Sequence, residues 1–164
     1  MTVGQWRFPD LNILPEISGK IEMKNITLSL MFLIVLAGGS LQAQHGTIEV
    51  TVDNIKSENG LILASLFTNE KDFLKTPFQS QKVQAKEGKI VITFERVPVG
   101  SYALSVIHDE NENFELDSNF FGIPKEGFGF GNDAMGSFGP PSFEKTLVNV
   151  GDGKNNYTVN LKHL

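Results

Sequence analysis

From residue 47 onward, apolar and polar residues alternate in short runs that predict β-strands. In residues 47–52, Ile48, Val50 and Val52 alternate with polar residues, which is the period of two expected of a strand with one wet face. Turn signals, among them Asn59-Gly60, separate these runs. The predicted strands are 47–52, 61–67, 81–87, 89–97, 101–108, 142–150 and 156–163. No run has the spacing of a convincing amphipathic helix, so the pattern predicts an all-β domain.

The strands and turns together indicate a β-sandwich. About seven short strands, with turn signals roughly every 8 to 12 residues, predict a single antiparallel Greek-key β-sandwich, and a barrel is the alternative. The turns predict two hairpins, which pair 47–52 with 61–67 and 81–87 with 89–97, and residues 151–154 join the strands 142–150 and 156–163. Tyr102 follows a turn, so its hydroxyl can bond the backbone of that turn, or the ring can serve as a core aromatic.

One long segment, residues 108–143, reads as neither strand nor helix. It carries seven of the chain's 13 phenylalanines among its glycines and prolines. A connection of this length is functional, disordered or folded on itself, and its phenylalanines argue against disorder. We expect the segment to cover an open edge of the core, and an exposed ligand platform is the alternative. The phenylalanines expected to anchor it are Phe120, Phe121, Phe128 and Phe130.

The first 43 residues read as a targeting region. From Met23, a lysine, an apolar run and small and polar residues ending at Ala43 form the order of a secretory signal peptide. The apolar run is too short to span a bilayer comfortably, and an N-terminal anchor or a buried helix is the alternative. We therefore predict an over-extended start at 1–22, a signal peptide at 23–43 and a β-sandwich domain at 44–164. Cleavage near Ala43 would place the domain in the periplasm or outside the cell.

The negative charge of the chain is local. From Gln44 onward there are sixteen acidic and eleven basic residues, and five of the acids lie within residues 109–117. Outside that stretch, acids and bases balance at eleven each. A local negative charge argues against nucleic acid or an anionic membrane as the partner and favours a cation. The chain has no cysteine, which excludes a disulfide framework.

The acidic stretch fits the pattern D-x-N-x-N-x-x-x-D, which is typical of calcium-binding loops. Calcium takes six to eight oxygen ligands, and side chains two apart in a tight loop can converge on one ion. We predict a weak Ca²⁺ site whose ligands are Asp109, Asn111, Asn113, Glu115 and Asp117. Two positions depart from an EF-hand-type loop, because Phe114 replaces the usual glycine and Phe120 replaces a closing glutamate. The alternative is a plain acidic turn, in which Asp and Asn are common for local reasons.

The sequence contains no catalytic motif that we recognise. Its serines lack the G-x-S-x-G pattern, and no H-E-x-x-H is present. His108 adjoins Asp109, but neighbouring residues on a strand face opposite sides, so we expect a structural histidine. We predict a non-catalytic binding or accessory module, monomeric and without a membrane span in the mature chain, whose partner is unknown and could be a cell-surface glycan or protein. The alternatives are a hydrolase that uses residues 108–117 and a structural spacer on a surface assembly.

Four motifs in the second half of the chain resemble those of a known family. They are Gly100-Ser101-Tyr102-Ala103, residues 108–117, residues 122–130 and Gly139-Pro140-Pro141-Ser142-Phe143. These motifs are similar to those of secreted bacterial proteins grouped as a domain of unknown function, number 2141. The chain departs from that pattern at Phe114, where glycine is expected, and at Gly131, where serine is expected. The resemblance implies a periplasmic or extracellular β-sandwich, similar to the transthyretin-like modules of bacterial surface proteins, and implies no accepted activity.

Overall fold

The structure, a computed structural model, describes residues 44–164, and these form an all-β fold, as predicted. Their eight strands are β1 (His45–Ile55), β2 (Leu61–Phe67), β3 (Gln79–Gln84), β4 (Gly88–Pro98), β5 (Gly100–Asp109), β6 (Gly127–Phe130), β7 (Leu147–Val150) and β8 (Gly153–Asn160). Two short 3₁₀ helices, Gly131–Asp133 and Phe143–Thr146, lie between β6 and β7. The predicted start and signal peptide, residues 1–43, lie outside the described residues. Within 44–164, no helix is long and apolar enough to cross a membrane.

The strands are arranged in two sheets. The three-stranded sheet has the order β4-β1-β8, and the five-stranded sheet has the order β3-β2-β5-β6 with β7 also paired to β5. β6 and β7 share one edge of β5, because β6 pairs with residues 105–108 and β7 with residues 100–103. All pairs are antiparallel except β1 with β8, which is parallel. The prediction of an entirely antiparallel arrangement is therefore wrong for this one pair.

The two predicted hairpins are wrong as well. In each of them, the two strands lie in different sheets: β1 and β2, and β3 and β4. The consecutive strands β7 and β8 also lie in different sheets. The strands that do pair after a local connection are β2 with β3 and β5 with β6. A turn signal marks where the chain reverses, but it does not say whether the next strand joins the same sheet or crosses the core to the other one.

Side chains from both sheets form one hydrophobic core. On β1, Ile48, Val50 and Val52 are fully buried, as their alternation predicts. They pack in the same cluster as buried residues of the other sheet, among them Ile62 of β2 and Leu104 of β5. Burial of these rows fixes the register of each strand, since a slip by one residue would turn the apolar row to solvent. The core therefore fixes where β5 ends and the acidic loop begins.

The turn before β5 is closed by a tyrosine. The hydroxyl of Tyr102 donates a hydrogen bond to the backbone carbonyl of Pro98 at 2.9 Å. Burial raises the pKa of Tyr102, which keeps the hydroxyl protonated and able to donate. This confirms the prediction that the Tyr102 hydroxyl bonds the backbone of the preceding turn, while the ring also belongs to the core.

The long segment 108–143 is folded on itself, and it includes β6. Phe128 and Phe130 of β6 are buried, with 7% and 5% of their surface exposed, which confirms that they anchor the segment. The same expectation is wrong for Phe120 and Phe121, which are 97% and 81% exposed. These two rings lie in the turn at residues 118–125. The hydrogen bonds of this turn are formed within the turn and with Asp117 at its base.

Candidate functional site

The acidic loop, residues 109–117, starts at the last paired residue of β5. Asp109 is paired with Leu61 of β2 and is fully buried. The turn between β1 and β2 lies directly against this point, since a Cβ atom added to Gly60 would be 2.0 Å from the carbonyl oxygen of Asp109. The first predicted ligand is thus held by the five-stranded sheet and by the neighbouring turn.

The carboxylate of Asp109 organises the first half of the loop. Its Oδ1 accepts a hydrogen bond from the backbone N–H of Asn113 at 3.1 Å, and its Oδ2 accepts one from the N–H of Phe114 at 2.8 Å. Charge-assisted hydrogen bonds of this kind are stronger than neutral ones. The loop is therefore wrapped around a fixed, buried carboxylate.

Phe114 adopts the backbone conformation that glycine would adopt most easily. Its φ is 64°, in the left-handed region, where a residue with a Cβ atom is strained by about 1 to 2 kcal/mol. The ring of Phe114 lies 5.2 Å from Nζ of Lys82, a cation–π contact that offsets part of this cost. The departure at position 114 therefore does not prevent the sharp turn of the loop.

The side chains of Asn111, Asn113 and Asp117 converge at the mouth of the loop. Nδ2 of Asn111 donates to Oδ2 of Asp117 at 2.6 Å, and Nδ2 of Asn113 lies 3.4 Å from Oδ1 of Asp117. The side-chain oxygens of the two asparagines accept the N–H groups of Asn113 and Glu115. Four predicted ligands thus share one hydrogen-bond network, and Glu115 joins it through its backbone N–H.

Glu126 holds the two ends of the loop together, and sequence reasoning missed it. Its Oε1 accepts the N–H of Glu110 at 3.0 Å, and its Oε2 accepts the N–H of Asp117 at 2.9 Å. Only 6% of the residue is exposed. The sequence feature that could have pointed to Glu126 is its place in the motif of residues 122–130, as an acid directly before β6.

His108 is buried beside the loop and faces no open cleft. It is fully buried, and its Nε2 lies 2.8 Å from the carbonyl oxygen of Asn59. Since a carbonyl only accepts hydrogen bonds, Nε2 must carry the proton of this contact. Nδ1 lies 3.8 Å from Oε1 of Glu110, which is too long for a hydrogen bond. The geometry is that of a structural histidine rather than one half of a catalytic pair.

The sequence as a whole was compared with known proteins. The family model of an uncharacterised protein conserved in bacteria, DUF2141, matches residues 50–158. The chain belongs to this family. The DUF2141 match covers more than half of the chain and includes the whole acidic loop, so the resemblance drawn from the four motifs is confirmed. None of the curated proteins and none of the solved structures matches the chain.

The acidic loop of this DUF2141 chain offers carboxylate and amide oxygens as donors. Across residues 44–164, no three His, Cys, Asp or Glu side chains are grouped so that they could hold a metal ion. This includes the three acids of the predicted ligand set, Asp109, Glu115 and Asp117, so a site here would depend also on the side-chain oxygens of Asn111 and Asn113. Carboxylate and amide oxygens are hard donors of the kind that Ca²⁺ prefers, and each has a second lone pair beside the hydrogen bond it accepts. The chemistry of the donors therefore fits calcium better than a transition metal.

Proposed function

We propose that this DUF2141 chain is an exported, non-catalytic, monomeric accessory module, a Greek-key β-sandwich whose acidic loop binds Ca²⁺. The observation that supports this most is the wrapping of the loop around Asp109. Its carboxylate accepts the N–H groups of Asn113 and Phe114, and Phe114 takes the left-handed turn that calcium loops normally give to glycine. The loop is therefore shaped before any ion arrives.

Ca²⁺ would replace the contacts that the NH₂ groups of Asn111 and Asn113 make with Asp117, because these amides must present oxygen atoms to the ion. The proposed ligands are the side chains of Asp109, Asn111, Asn113 and Asp117, with the carbonyl or carboxylate of Glu115. Water would complete a shell of six to eight oxygens, because the loop mouth is exposed. The position that a closing glutamate would occupy holds Phe120, so we place the affinity in the weak range, with a Kd of about 10⁻⁴ to 10⁻³ M.

The geometry supports a non-catalytic module over the alternative of a hydrolase. A hydrolase that uses this loop would need two groups within hydrogen-bond reach of each other in an open cleft. His108 is fully buried, and its nearest carboxylate oxygen, on Glu110, lies 3.8 Å from Nδ1. The other alternative, a structural spacer, differs from our proposal in that calcium would not change its stability.

The test of the cation loop is a thermal melt of residues 44–164 in calcium and in chelator. Binding to the native state raises its stability by RT ln(1 + [L]/Kd), which is about 1.4 kcal/mol at ten times the Kd. For a domain of this size we expect the melting temperature to rise by several degrees in about 10 mM calcium. An unchanged melting temperature would contradict the cation loop and leave a plain acidic turn.

Two matched variants make this test specific. Asp117→Asn removes one proposed ligand charge and should abolish the calcium-induced rise in melting temperature. Asp152→Asn removes the same charge from the exposed turn between β7 and β8 and should keep the rise. Asp117 is a better target than Asp109, because Asp109 also accepts two backbone N–H groups and its loss would destabilise the loop by itself. Equal shifts in both variants would show that calcium acts elsewhere.

Export has a test of its own. The pattern from Met23 to Ala43 predicts cleavage by a signal peptidase. Mass spectrometry of the protein recovered from its native cells should therefore find a mature N-terminus at or near Gln44. Recovery of an intact cytoplasmic species that still carries residues 1–43 would contradict the proposal.

A further inference from the structure

Two adjacent aromatic rings stand almost free of the protein in the turn that follows the acidic loop. Phe120 and Phe121 are 97% and 81% exposed, and their ring centroids are 5.6 Å apart in an edge-to-face contact. We call residues 118–124 the aromatic tip. A phenylalanine pair exposed to this degree has an energetic cost in water, which suggests an apolar environment that the tip enters.

Much of the backbone of the aromatic tip is hydrogen-bonded within the tip itself. Ser118 and Pro124 form an isolated β-bridge, and the N–H of Lys125 donates to the carbonyl of Asp117 at 2.8 Å, which closes the base. Within the tip, the side chain and carbonyl of Asn119 and the carbonyl of Ile123 are the acceptors. The donors are the N–H groups of Asn119, Phe121, Gly122 and Ile123.

This arrangement suits a lipid interface. Hydrocarbon offers no replacement for water, and the tip leaves the N–H of Phe120 and the carbonyls of residues 120–122 without a partner in the tip. The rings can therefore enter the interface, where water remains, but not the hydrocarbon core. Phenylalanine side chains have no polar atom that would need a partner, whereas a sugar site needs polar groups around its aromatic rings. We propose that Phe120 and Phe121 insert into the interface of a zwitterionic lipid bilayer.

The charge at the base of the aromatic tip determines whether the tip suits an anionic or a zwitterionic bilayer. Glu112 and Glu115 are exposed in the acidic loop, and Asp117 closes the base of the tip by accepting the N–H of the exposed Lys125. Residues 109–125 hold five acids and one base, so the net charge at the base is negative. These carboxylates would lie near the headgroups when the rings are inserted. They are repelled by an anionic membrane surface, whereas the outermost group of a zwitterionic headgroup is a positively charged ammonium. The tip and its acidic base are therefore complementary to a neutral bilayer with exposed ammonium groups.

The experiment is flotation of residues 44–164 with phosphatidylcholine vesicles in the presence of chelator. Wild type should float with the vesicles, and Phe120→Ser/Phe121→Ser should lower the vesicle partition coefficient by about tenfold or more. Phe138→Ser is the matched control, because Phe138 is fully exposed but lies between β6 and β7, outside the tip. This control should bind like wild type, and all three proteins should have the same melting temperature.

Two results would overturn the proposal. One is a wild type that stays unbound at every vesicle concentration, and the other is a double variant that binds as well as wild type. Loss of a dimer in the double variant, seen by analytical ultracentrifugation without lipid, would instead assign the tip to a second copy of the chain.

A second set of vesicles separates this inference from the proposed function. With about a third of the lipid replaced by phosphatidylglycerol, binding in chelator should fall, because the acidic base is repelled. Calcium should restore it, and this arm alone rests on the proposed cation loop. Binding to neutral vesicles without any effect of calcium on the anionic ones would support the aromatic tip and contradict the cation loop.

Discussion

Glu126→Gln should lower the free energy of unfolding by about 2 to 3 kcal/mol, even in chelator. The carboxylate of Glu126 accepts two backbone N–H groups, from Glu110 and Asp117, and is almost completely buried. Glutamine keeps one acceptor oxygen, but its NH₂ group would face the second N–H, so that a buried donor is left without a partner. The loss of charge also weakens the hydrogen bond that remains.

Urea unfolding and a thermal melt measure this effect. A loss of this size should lower the melting temperature by about 10 °C for a domain of this length. Glu112→Gln is the matched control, since Glu112 lies in the same loop, is exposed and loses the same charge. It should stay within about 0.5 kcal/mol of wild type. If both variants unfold alike, Glu126 does not hold the ends of the loop together.

The acidic loop shows how hydrogen-bond donors of the protein can offset the crowding of carboxylates. Two like charges in contact repel by about 1 kcal/mol in water and by more near a protein surface. Here the N–H groups of the loop backbone bond Asp109 and Glu126, and the amides of Asn111 and Asn113 face Asp117. The loop is therefore already held by neutral donors. Calcium would add to this stability rather than create it, which is why we expect a shift of a few degrees and not a folding transition.

The positions of most strands could be predicted from the sequence, with β6 missed, but their partners could not. The alternation in β1 places Ile48, Val50 and Val52 in the core, and the structure has them there. Alternation is a local property that depends only on which side of the strand is wet. The pairing of β1 with β4 and β8 depends on contacts between residues far apart in sequence. Turn residues cannot encode those contacts.

The candidate site also has one part that the sequence predicts and one part that depends on the fold. Asp109, Asn111, Asn113 and Asp117 lie within nine residues, so their spacing alone was enough to predict that they share one loop. Glu126 reaches the same loop only because β6 pairs with β5 and returns the chain to the end of that strand. Its role depends on the fold and was not visible in a short motif.

The four phenylalanines that were expected to anchor the long segment show where composition misleads. All four were expected in the core on the basis of their hydrophobicity. Phe128 and Phe130 reach the core because β6 has a free edge of β5 to pair with. Phe120 and Phe121 instead follow Asn119, whose side chain bonds the N–H groups of Phe121 and Ile123. This local turn chemistry fixes a tip that keeps the two rings away from the core.

Three glycines with different surroundings allow the contact between the β1–β2 turn and the acidic loop to be tested. Gly60 has a φ of +66°, and an added Cβ would lie 2.0 Å from the carbonyl oxygen of Asp109. Gly88 has a φ of +91° but nothing within 4 Å of an added Cβ. Gly100 has an ordinary φ, and its nearest neighbour, the ring of Tyr102, would lie 3.6 Å away. Gly60 therefore combines backbone strain with a clash, Gly88 has backbone strain alone, and Gly100 has neither.

Gly60→Ala should therefore lower the free energy of unfolding the most, by about 3 kcal/mol or more, because backbone strain adds to a clash with backbone atoms that cannot move aside. Gly88→Ala should lose about 1 kcal/mol from strain alone, and Gly100→Ala should change by less than about 0.5 kcal/mol. Urea unfolding of the three variants gives these values directly. Because the clash falls on Asp109, Gly60→Ala should also lose the calcium-induced rise in melting temperature, while Gly88→Ala should keep it. If Gly60→Ala unfolds like Gly88→Ala and keeps the rise, the turn does not press on the loop, and Asp109 is positioned by its own hydrogen bonds alone.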